Sequence, residues 1–320
     1  MKILIAGELN VDLVLQNPQA FPILGRETLV EGLSLTVGSA SAICASALAK
    51  LGDQVTFMGK VGRDAWGDLC LKSLRDLGID CSSVKCDESL TTGITVSITW
   101  AKDRALLTYL GSIAALQASD VSNECLRRCR HLHVSSFFLQ RALRPDLKSL
   151  LARAHENGLT TSVDPGFDPD EAWGKDLLDA LNEVDVFLPN ELELAAISGK
   201  ENRIEALRSL ANGRTLTVAK LGADGCMAMQ DCEFVSVPAF PITPIDTTGA
   251  GDTFNAGFLH AWLAGVELQD AMRFAAACGA LSTLGLGGTA SQPTESQARD
   301  FISECPHTET NNRASVRMTV

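Results

Sequence analysis

A turn of small residues stands directly before an acidic side chain at the start of a helical pattern. Gly249, Ala250 and Gly251 precede Asp252 in the segment 245–260, which reads IDTTGAGDTFNAGFLH. Small side chains leave the first N–H groups of a helix open to an anion, which the positive end of the helix dipole stabilises. Since a carboxylate repels a resting anion, we interpret Asp252 as a base that takes a proton from a group attacking that anion. From the residue types alone, a plain turn followed by a helix cap is an equally good interpretation.

Two polar pairs follow other predicted strands. Asn10 and Asp12 come after the apolar run 3–7, which is typical of a strand in a parallel sheet. Open α/β sheets bind ligands at the carboxyl ends of such strands. Asn190 and Glu193 lie three residues apart, so the first turn of a helix presents them on one face. Oxygen ligands of this kind suit Mg²⁺, whereas a helix cap with a solvated glutamate is the alternative.

The elements between these residues alternate between helix and strand. Apolar positions at helical spacing end at Gly52 and Gly78, and short apolar strands follow, a rhythm that indicates βαβ units. Two segments break this rhythm: residues 14–37 lack a helical period, and residues 92–109 are predicted as a hairpin. We therefore predict an α/β fold with a mostly parallel central sheet and helices on both faces. The two interrupting segments form a small β-sheet lid, or alternatively the hairpin extends the main sheet.

Composition and charge argue against several classes of function. The chain has 320 residues and a net charge of −12, which argues against a nucleic-acid or acidic-membrane surface. The sequence contains no G-x-x-x-x-G-K-[ST] loop, which argues against a P-loop enzyme. It also has no G-x-G-x-x-G turn after a predicted strand, which argues against a dinucleotide-binding enzyme. The ten cysteines show no Cys-x-x-Cys spacing and the first residues read as a strand, so we expect a cytoplasmic protein without a membrane segment. His131 and His133 share one face of a predicted strand and form a candidate metal pair without an evident third ligand.

The string D-T-T-G-A-G-D-T-F-x-A-G-F resembles the signature of the ribokinase-like (PfkB) family of sugar and nucleoside kinases. The resemblance implies that Asp252 is the catalytic base. It also implies that the N–H groups of Gly249, Ala250 and Gly251 form the anion hole for the transferred phosphoryl group. The fold it implies is a three-layer α/β kinase domain with a β-sheet lid, and the phosphoryl donor is ATP with Mg²⁺.

Other strings resemble the family's nucleotide and metal segments. P-N-E-L-E-L is similar to its N-x-x-E motif, which implies that Asn190 and Glu193 organise Mg²⁺, its waters and the triphosphate. K-L-G-x-x-G and a small-residue helix are similar to the segments around the nucleotide. The residues that these segments assign to the nucleotide are Lys220, Gly222, Gly225, Ala276 and Gly279. Asp246 and Thr248 match the region that holds a monovalent cation such as K⁺ in some members, largely through backbone carbonyls.

The acceptor segments resemble the family only in part. G-E-L-N-V-D is similar to the segment whose matching Asn10 and Asp12 bind substrate hydroxyls. The family's G-G-x-x-x-N motif appears as G-S-A-S-A-I, in which Gly38 is kept, Ser39 replaces a glycine and Ile43 replaces the asparagine. The resemblance implies that these five positions face the acceptor.

Apolar side chains also stand where ribokinase has polar groups. Phe137 is at the position of an acidic residue, and a ribose hydroxyl pressed against it or against Ile43 would lose about 1–3 kcal/mol of hydrogen bonding. We therefore expect an acceptor other than ribose. The Tyr-Arg pair of the acid-sugar kinases appears as Tyr109 followed by Leu110, with Arg104 as a substitute cation. The side chains that would stack a nucleoside base are Phe137, Phe138, Trp100 and Tyr109.

The resemblance divides the chain into a kinase domain, a lid and a tail. The kinase domain comprises residues 1–12, 38–91 and 113–305, the lid comprises 13–37 and 92–112, and 306–320 form a flexible tail. We expect ATP-dependent phosphoryl transfer to a hydroxyl of a sugar or sugar-like molecule, and a homodimer formed through the apolar face of the lid. The alternatives are a nucleoside kinase of the same family and a non-catalytic sugar- or nucleotide-binding regulator. Asp252 and the N-x-x-E motif argue against the regulator.

Overall fold

A computed structural model describes residues 2–100, 103–230 and 233–305, without the side chains of Trp100, Asp103 and Gln230. The strands are β1 (Lys2–Ala6), β2 (Asn10–Pro18), β3 (Val30–Val37), β4 (Gln54–Met58), β5 (Lys60–Gly62), β6 (Lys85–Asp87), β7 (Gly93–Trp100), β8 (Asp103–Tyr109), β9 (His131–Val134), β10 (Thr160–Val163), β11 (Val186–Phe187), β12 (Leu216–Lys220), β13 (Cys226–Gln230) and β14 (Glu233–Val237). The helices are α1 (Ala40–Lys50), α2 (Ala65–Asp76), α3 (Asn123–Arg127), α4 (Leu147–Glu156), α5 (Lys175–Leu181), α6 (Glu191–Ser198), α7 (Arg203–Ser209), α8 (Ala250–Leu263), α9 (Leu268–Ser282) and α10 (Glu295–Glu304). The predicted flexible tail, residues 306–320, lies outside the described residues.

The central sheet is mostly parallel, as predicted. Within the described residues its strand order is β14-β13-β12-β11-β10-β9-β1-β4. The strands from β12 to β4 pair in parallel, and β13 and β14 add an antiparallel edge. The carboxyl ends of six strands therefore meet at one edge of the sheet, where ligands of open α/β sheets bind.

Helices cover both faces of the central sheet. Ile3 and Ile5 of β1 belong to a buried core with α1, α8 and α9, whereas Leu4 and Ala6 belong to a second core with α4, α5, α6 and α7. This division follows from the alternation of side chains along a strand. Helix α8 packs against both α1 and α9, so the helix that carries Asp252 is central to its layer. The predicted three-layer α/β fold is confirmed.

A separate small sheet is formed by the segments that break the βαβ rhythm. Its strand order is β3-β2-β7-β8, with β2 and β7 parallel and the two outer pairs antiparallel. The hairpin therefore does not extend the central sheet. Several large apolar side chains on this sheet are exposed, including Leu33, Leu106 and Leu107. We refer to the four strands as the lid.

Strand β9 is shorter than the sequence pattern predicts. The run 131–137 predicts a strand that reaches Phe137, but β9 ends at Val134. Ser136 has a φ of 52°, a left-handed conformation that a strand does not accommodate. The chain turns there, and Phe137 enters the second core. The short parallel pair of β5 and β6 was also not predicted, because three-residue strands leave too little periodicity to detect.

The two histidines of β9 lie in a chain of hydrogen bonds inside the sheet. Nδ1 of His131 is 2.8 Å from Oγ1 of Thr160, and its Nε2 is 2.7 Å from Oγ of Ser162. The same hydroxyl is 2.7 Å from Nδ1 of His133, whose Nε2 is 2.8 Å from Oγ of Ser135. Burial lowers the pKa of His131 to about 3 and that of His133 to about 4, so both rings are neutral. Hydroxyl groups therefore lie within hydrogen-bond distance of all four ring nitrogens.

Two further expectations concern the chain as a whole. In the part of the chain that the structure describes, no helix has both the length and the apolar character needed to cross a membrane. The cysteines of the same ranges are free thiols, most of them buried.

Candidate active site

The turn before α8 requires glycine. Gly249 has a φ of 71°, and a Cβ atom there would lie 2.8 Å from Cα of Gly288 and 2.9 Å from Cγ2 of Ile43. The N–H of Ala250 donates to a backbone carbonyl of the turn at 3.2 Å, whereas those of Gly251 and Asp252 make no backbone hydrogen bond within the described residues. These last two N–H groups are the ones that an anion at the helix start would meet.

Two predicted acceptor contacts serve other purposes. Ile43 is 3% exposed and packs on the glycine turn, where a Cβ on Gly288 would lie 2.6 Å from its Cδ1. Phe137 is 1% exposed, with its ring 5.1 Å from that of Phe138 and the guanidinium of Arg144 over its face. Neither side chain faces an open site, so their placement in the acceptor pocket was wrong. The error at Phe137 follows from the early end of β9.

A buried ion pair lies beside the glycine turn. Nζ of Lys220, at the end of β12, is 2.6 Å from Oδ2 of Asp164 and 3.2 Å from Oδ1 of Asn255. Nδ2 of Asn255 donates to the same Asp164 oxygen at 2.5 Å. The ammonium is 3.7 Å from the position of a Cβ on Gly251, which places a positive charge next to the anion site. Burial lowers the pKa of Lys220, but the charges of Asp164 and Glu193 more than compensate, so its pKa is raised and it stays charged.

Asp164 and Asn255 were not identified as site residues from the sequence. A weak signal existed, since Asp164 directly follows β10 at the same sheet edge as the other polar residues. Asn255 lies one helical turn after Asp252, on a face of α8 whose other residues are typical of an apolar core. Their roles depend on Lys220, which is 56 and 35 residues away in sequence.

Asp252 is half-buried in the first turn of α8. Burial raises its pKa to about 7, the charge of Asp164 adds to this effect, and Lys220 opposes it. A carboxyl with a pKa near the working pH is suited to take a proton from a hydroxyl in the transition state. The site therefore places a carboxyl group suited to act as a general base beside N–H groups and an ammonium suited to stabilise negative charge.

Asn190 and Glu193 form a reciprocal cap of α6. The N–H of Asn190 donates to Oε2 of Glu193 at 2.8 Å, and the N–H of Glu193 donates to Oδ1 of Asn190 at 2.9 Å. Burial and the charge of Asp164 raise the pKa of Glu193 to about 7. Asp164 raises the pKa of both Glu193 and Asp252, so the three carboxyl groups lie in one region, although no three His, Cys, Asp or Glu side chains of the described residues are grouped so that they could hold a metal ion. The donor set is compatible with Mg²⁺, which prefers oxygen ligands and retained waters.

A cavity of about 520 Å³ opens next to this cap. Its walls include Asn190 and two of the five predicted nucleotide residues, Lys220 and Gly222. The other three, Gly225, Ala276 and Gly279, are not among its lining residues, and neither is Glu193 of the cap. Gly225 has a φ of 92° in the turn after β12, and a Cβ on Gly279 would lie 3.2 Å from the carbonyl oxygen of Ala250. Gly279 thus permits α9 to approach the start of α8.

The acceptor candidates at the end of β1 lie together. Nδ2 of Asn10 donates to Oδ1 of Asp12 at 3.1 Å, and a Cβ on Gly38 would lie 1.9 Å from that oxygen. Burial raises the pKa of Asp12 to about 6, against the charge of Arg104. Ser39 adopts a φ of 74° and a ψ of 136°, a conformation normally left to glycine, which costs about 1–3 kcal/mol. A glycine at this position would adopt the same angles without that cost.

The lid reaches the catalytic loop through Arg104. Nη1 of Arg104 donates to Oγ1 of Thr248 at 2.5 Å, and this hydroxyl donates to Oδ1 of Asp246 at 2.7 Å. The N–H of Gly287 donates to the other oxygen of Asp246 at 2.8 Å. Both carboxylate oxygens of Asp246 thus accept hydrogen bonds here. Tyr109, at the far end of β8, is 56% exposed.

The fold and the site together define an α/β kinase that transfers a phosphoryl group to a small molecule. A sequence model described as pfkB family carbohydrate kinase matches residues 1–295. The chain belongs to this family, and it is an ATP-dependent phosphotransferase with an alcohol group as acceptor.

Similar proteins agree with this assignment. An ATP-dependent ribose-1-phosphate kinase of Halopiger xanaduensis is 32% identical over 308 residues, which cover 95% of this chain and 99% of the relative. A deoxyribokinase of Salmonella typhi is 26% identical over 95% of this chain and 99% of its own length. The fold is shared with a candidate ribokinase II of E. coli in complex with ATP and Mg²⁺, at a TM-score of 0.84 and 22% identity over 95% of this chain and 99% of that chain.

Proposed function

We propose that Asp252 is the general base and that the 249–251 turn forms the anion hole of this kinase, with the N–H groups of Gly251 and Asp252 open to the anion. The observation that carries the proposal is the position of Asp252, whose pKa is about 7, one residue after a glycine turn flanked by Lys220. The Asp252 carboxylate takes the proton of the acceptor hydroxyl as its oxygen attacks the γ-phosphorus of ATP. The bond from that phosphorus to the β–γ bridging oxygen breaks, and ADP leaves with the electron pair. The N–H groups and Lys220 stabilise the charge that develops on the transferred group.

Asn190 and Glu193 are the proposed residues toward Mg²⁺, through retained water molecules. The metal neutralises charge on the phosphates when it is bound. The two residues also fix the end of the nucleotide cavity, because their mutual hydrogen bonds lock the start of α6. Lys220 and Gly222 are proposed to contact the phosphates, since both line that cavity.

The proposed acceptor is a pentose, either free or phosphorylated, held by Asn10, Asp12, Gly38 and Ser39. The names of the two relatives, a ribose-1-phosphate kinase and a deoxyribokinase, support this class. Arg104 supplies a cation whose charge acts on Asp12, which favours an anionic substituent on the acceptor. Ile43 and Phe137 are buried and so provide no reason to exclude ribose.

The nucleoside alternative loses two of its four stacking residues. Phe137 and Phe138 are 1% and 2% exposed in the core, and the side chain of Trp100 lies outside the described residues. Of the three described side chains, Tyr109 is an exposed ring on the lid. A non-catalytic regulator would have no use for a base with a pKa of about 7 at an anion site.

Further parts of the proposal concern ions, assembly and location. We keep a K⁺ site near Asp246 and Thr248 as a proposal that depends on backbone carbonyls, since the Asp246 carboxylate already accepts hydrogen bonds. The exposed apolar face of the lid is proposed to form a homodimer. The division into kinase domain and lid and a cytoplasmic location also remain proposals.

An ADP-release screen tests the proposed acceptor class. The acceptors are D-ribose, 2-deoxy-D-ribose, ribose 1-phosphate, D-fructose, an acid sugar and a nucleoside, each with MgATP, and the Asp252→Asn variant is the control. We expect the highest kcat/KM with one of the three pentoses. A higher kcat/KM for the nucleoside, or equal ADP release by native protein and variant, would contradict the proposal.

A further inference from the structure

Glu8, at the carboxyl end of β1, joins three segments of the chain. Its carboxylate is 3% exposed and accepts hydrogen bonds from the N–H of Ser41 at 3.2 Å, from Oγ of Ser41 at 2.6 Å and from Oγ of Ser136 at 2.8 Å. Its carbonyl oxygen accepts a hydrogen bond from Oγ of Ser39 at 2.8 Å. One residue therefore ties the end of β1 to the start of α1 and to the turn after β9.

Both segments that Glu8 holds contain a residue in a conformation normally left to glycine. Ser39 has a φ of 74°, and Ser136 has a φ of 52°. Residues with side chains keep such backbone angles only where the surroundings enforce them. A Cβ atom on Gly166 would lie 3.0 Å from Cα of Ser136, so the two residues pack closely. Glycine has no side chain, however, that could hydrogen-bond to this serine. The backbone of the turn is held by Nε2 of Gln140, which donates to the carbonyl oxygen of Ser135 at 2.5 Å, and the side chain of Ser136 is held by its hydrogen bond to Glu8.

The held segments border the proposed acceptor residues. Ser39 directly follows Gly38, which packs on the carboxylate of Asp12. Burial raises the pKa of Glu8, and its carboxyl group in turn raises the pKa of Asp12 and of Asp252, so Glu8 is close enough to act on both carboxyl groups. Glu8 does not line the nucleotide cavity.

We propose that Glu8 is a positioning residue for the phosphoryl acceptor, because its carboxylate holds Ser41 and Ser136, and with them the start of α1 and the turn after β9, in the arrangement that places an acceptor hydroxyl against Asp252. The inference rests on the proposed function, since it needs an acceptor on this side of the sheet. It predicts that removal of the Glu8 side chain impairs the use of the acceptor and leaves nucleotide binding unchanged.

Two variants separate the geometry of Glu8 from its charge. In Glu8→Gln, the amide oxygen can keep the donors of one carboxylate oxygen, and the amide NH₂ can donate to Oγ of Ser41, so the geometry survives without the charge. In Glu8→Ala both are lost. We expect Glu8→Ala to raise the acceptor KM by about 10- to 100-fold, since small misplacements of a reacting group have effects of this size. Glu8→Gln should keep the acceptor KM within about threefold, because the amide keeps the hydrogen bonds that hold Ser41 and Ser136.

The measurements use the native chain and whichever of D-ribose, 2-deoxy-D-ribose and ribose 1-phosphate it phosphorylates best. Titration calorimetry with MgADP reports on the nucleotide side without turnover, and its Kd should stay within about twofold in both variants. Thermal unfolding confirms that each variant is folded. If the native chain phosphorylates none of the three acceptors, the proposed function fails, which is a separate result from an effect of Glu8.

A second substitution tests the role of the strained turn. Glycine adopts a φ of 52° without a tether. Ser136→Gly in the Glu8→Ala background should therefore recover at least about threefold of the lost kcat/KM, whereas Ser136→Ala in that background should recover none. The inference is overturned if Glu8→Ala is folded and keeps the native acceptor KM, if it weakens MgADP binding as much as acceptor use, or if glycine and alanine at position 136 behave alike.

Discussion

Replacement of Asp252 by asparagine is expected to remove most turnover and, at the same time, to stabilise the folded protein. Burial and the charge of Asp164 raise the pKa of this carboxyl from an ordinary 3.8 to about 7. A folded state that binds a proton more tightly than the unfolded chain loses stability as the pH rises from the unfolded to the folded pKa. The ionised Asp252 therefore destabilises the native protein fully above its folded pKa, and a neutral amide removes that effect at every pH.

The size of the effect follows from the pKa difference. About three pKa units correspond to roughly 4 kcal/mol at about 1.36 kcal/mol per unit. Because the side chain is partly exposed and solvent screens its charge, we expect about half of this, near 2 kcal/mol, as the gain in free energy of unfolding at pH 8. The gain should fall to about 1 kcal/mol at pH 5 and to a few tenths at pH 4, where the carboxyl is protonated in the folded state and increasingly so in the unfolded chain.

Urea unfolding and ADP release measure the two halves of this prediction. Turnover of Asp252→Asn should fall by about 10²–10⁴, the usual contribution of a positioned base. The native kcat/KM should fall below pH 7, where Asp252 becomes protonated. Asp246→Asn is a matched control that should lower the free energy of unfolding instead of raising it. Hydrogen bonds from Gly287 and Thr248 outweigh burial and lower the pKa of Asp246, so its ionised form stabilises the folded protein. Near-native turnover, or an asparagine variant that gains no stability between pH 4 and pH 8, would refute the reasoning.

Three further predictions concern the metal, the ion pair and the lid. Glu193→Gln should raise the Mg²⁺ concentration needed for half-maximal rate, and an unchanged Mg²⁺ titration would reduce Glu193 to a helix cap. Lys220→Met should cost about 3–5 kcal/mol in free energy of unfolding because it leaves Asp164 buried without its cation. Adding Asp164→Asn should recover part of that loss, and urea unfolding of both variants at one pH checks this. The lid should form a dimer and should exchange amide hydrogens more slowly with a true acceptor bound. Sedimentation that shows only monomer at micromolar concentration would contradict the dimer. Hydrogen exchange in the lid that does not change when the acceptor binds would contradict the predicted protection.

The sequence allowed prediction of those features that depend on neighbouring residues or on periodicity. The glycine turn and Asp252 are adjacent in sequence, so their spacing alone indicates an anion site with a base. The rhythm of apolar strands and helices is enough to predict a mostly parallel sheet. The lid was predicted because two segments interrupt that rhythm, and each of them is long enough to form more than one strand.

The features that the sequence missed depend on long-range contacts or on one backbone angle. The contact of Lys220 with Asp164 joins residues on different strands, and no local pattern identifies such a partner. Ser136 ends β9 through a positive φ, which a Ser-Ser-Phe-Phe string does not reveal. That single angle moved Phe137 from the expected pocket into the core. Ile43 shows the same limit, since its contact with Gly288 crosses 245 positions in the chain.

The hydroxyl–imidazole chain inside the central sheet has a consequence for its protons. Ser162 carries one hydroxyl hydrogen and meets a ring nitrogen on each side, so for both hydrogen bonds to form it donates to one histidine and accepts from the other. If it donates to His131, both rings carry their proton on Nδ1, and Ser135 donates to His133. If it donates to His133, both rings carry their proton on Nε2, and the Ser135 hydroxyl accepts from His133, so its own hydrogen can be donated to another acceptor. The two imidazoles therefore share one tautomeric state, and a change at either end of the array reverses the polarity of every bond in it.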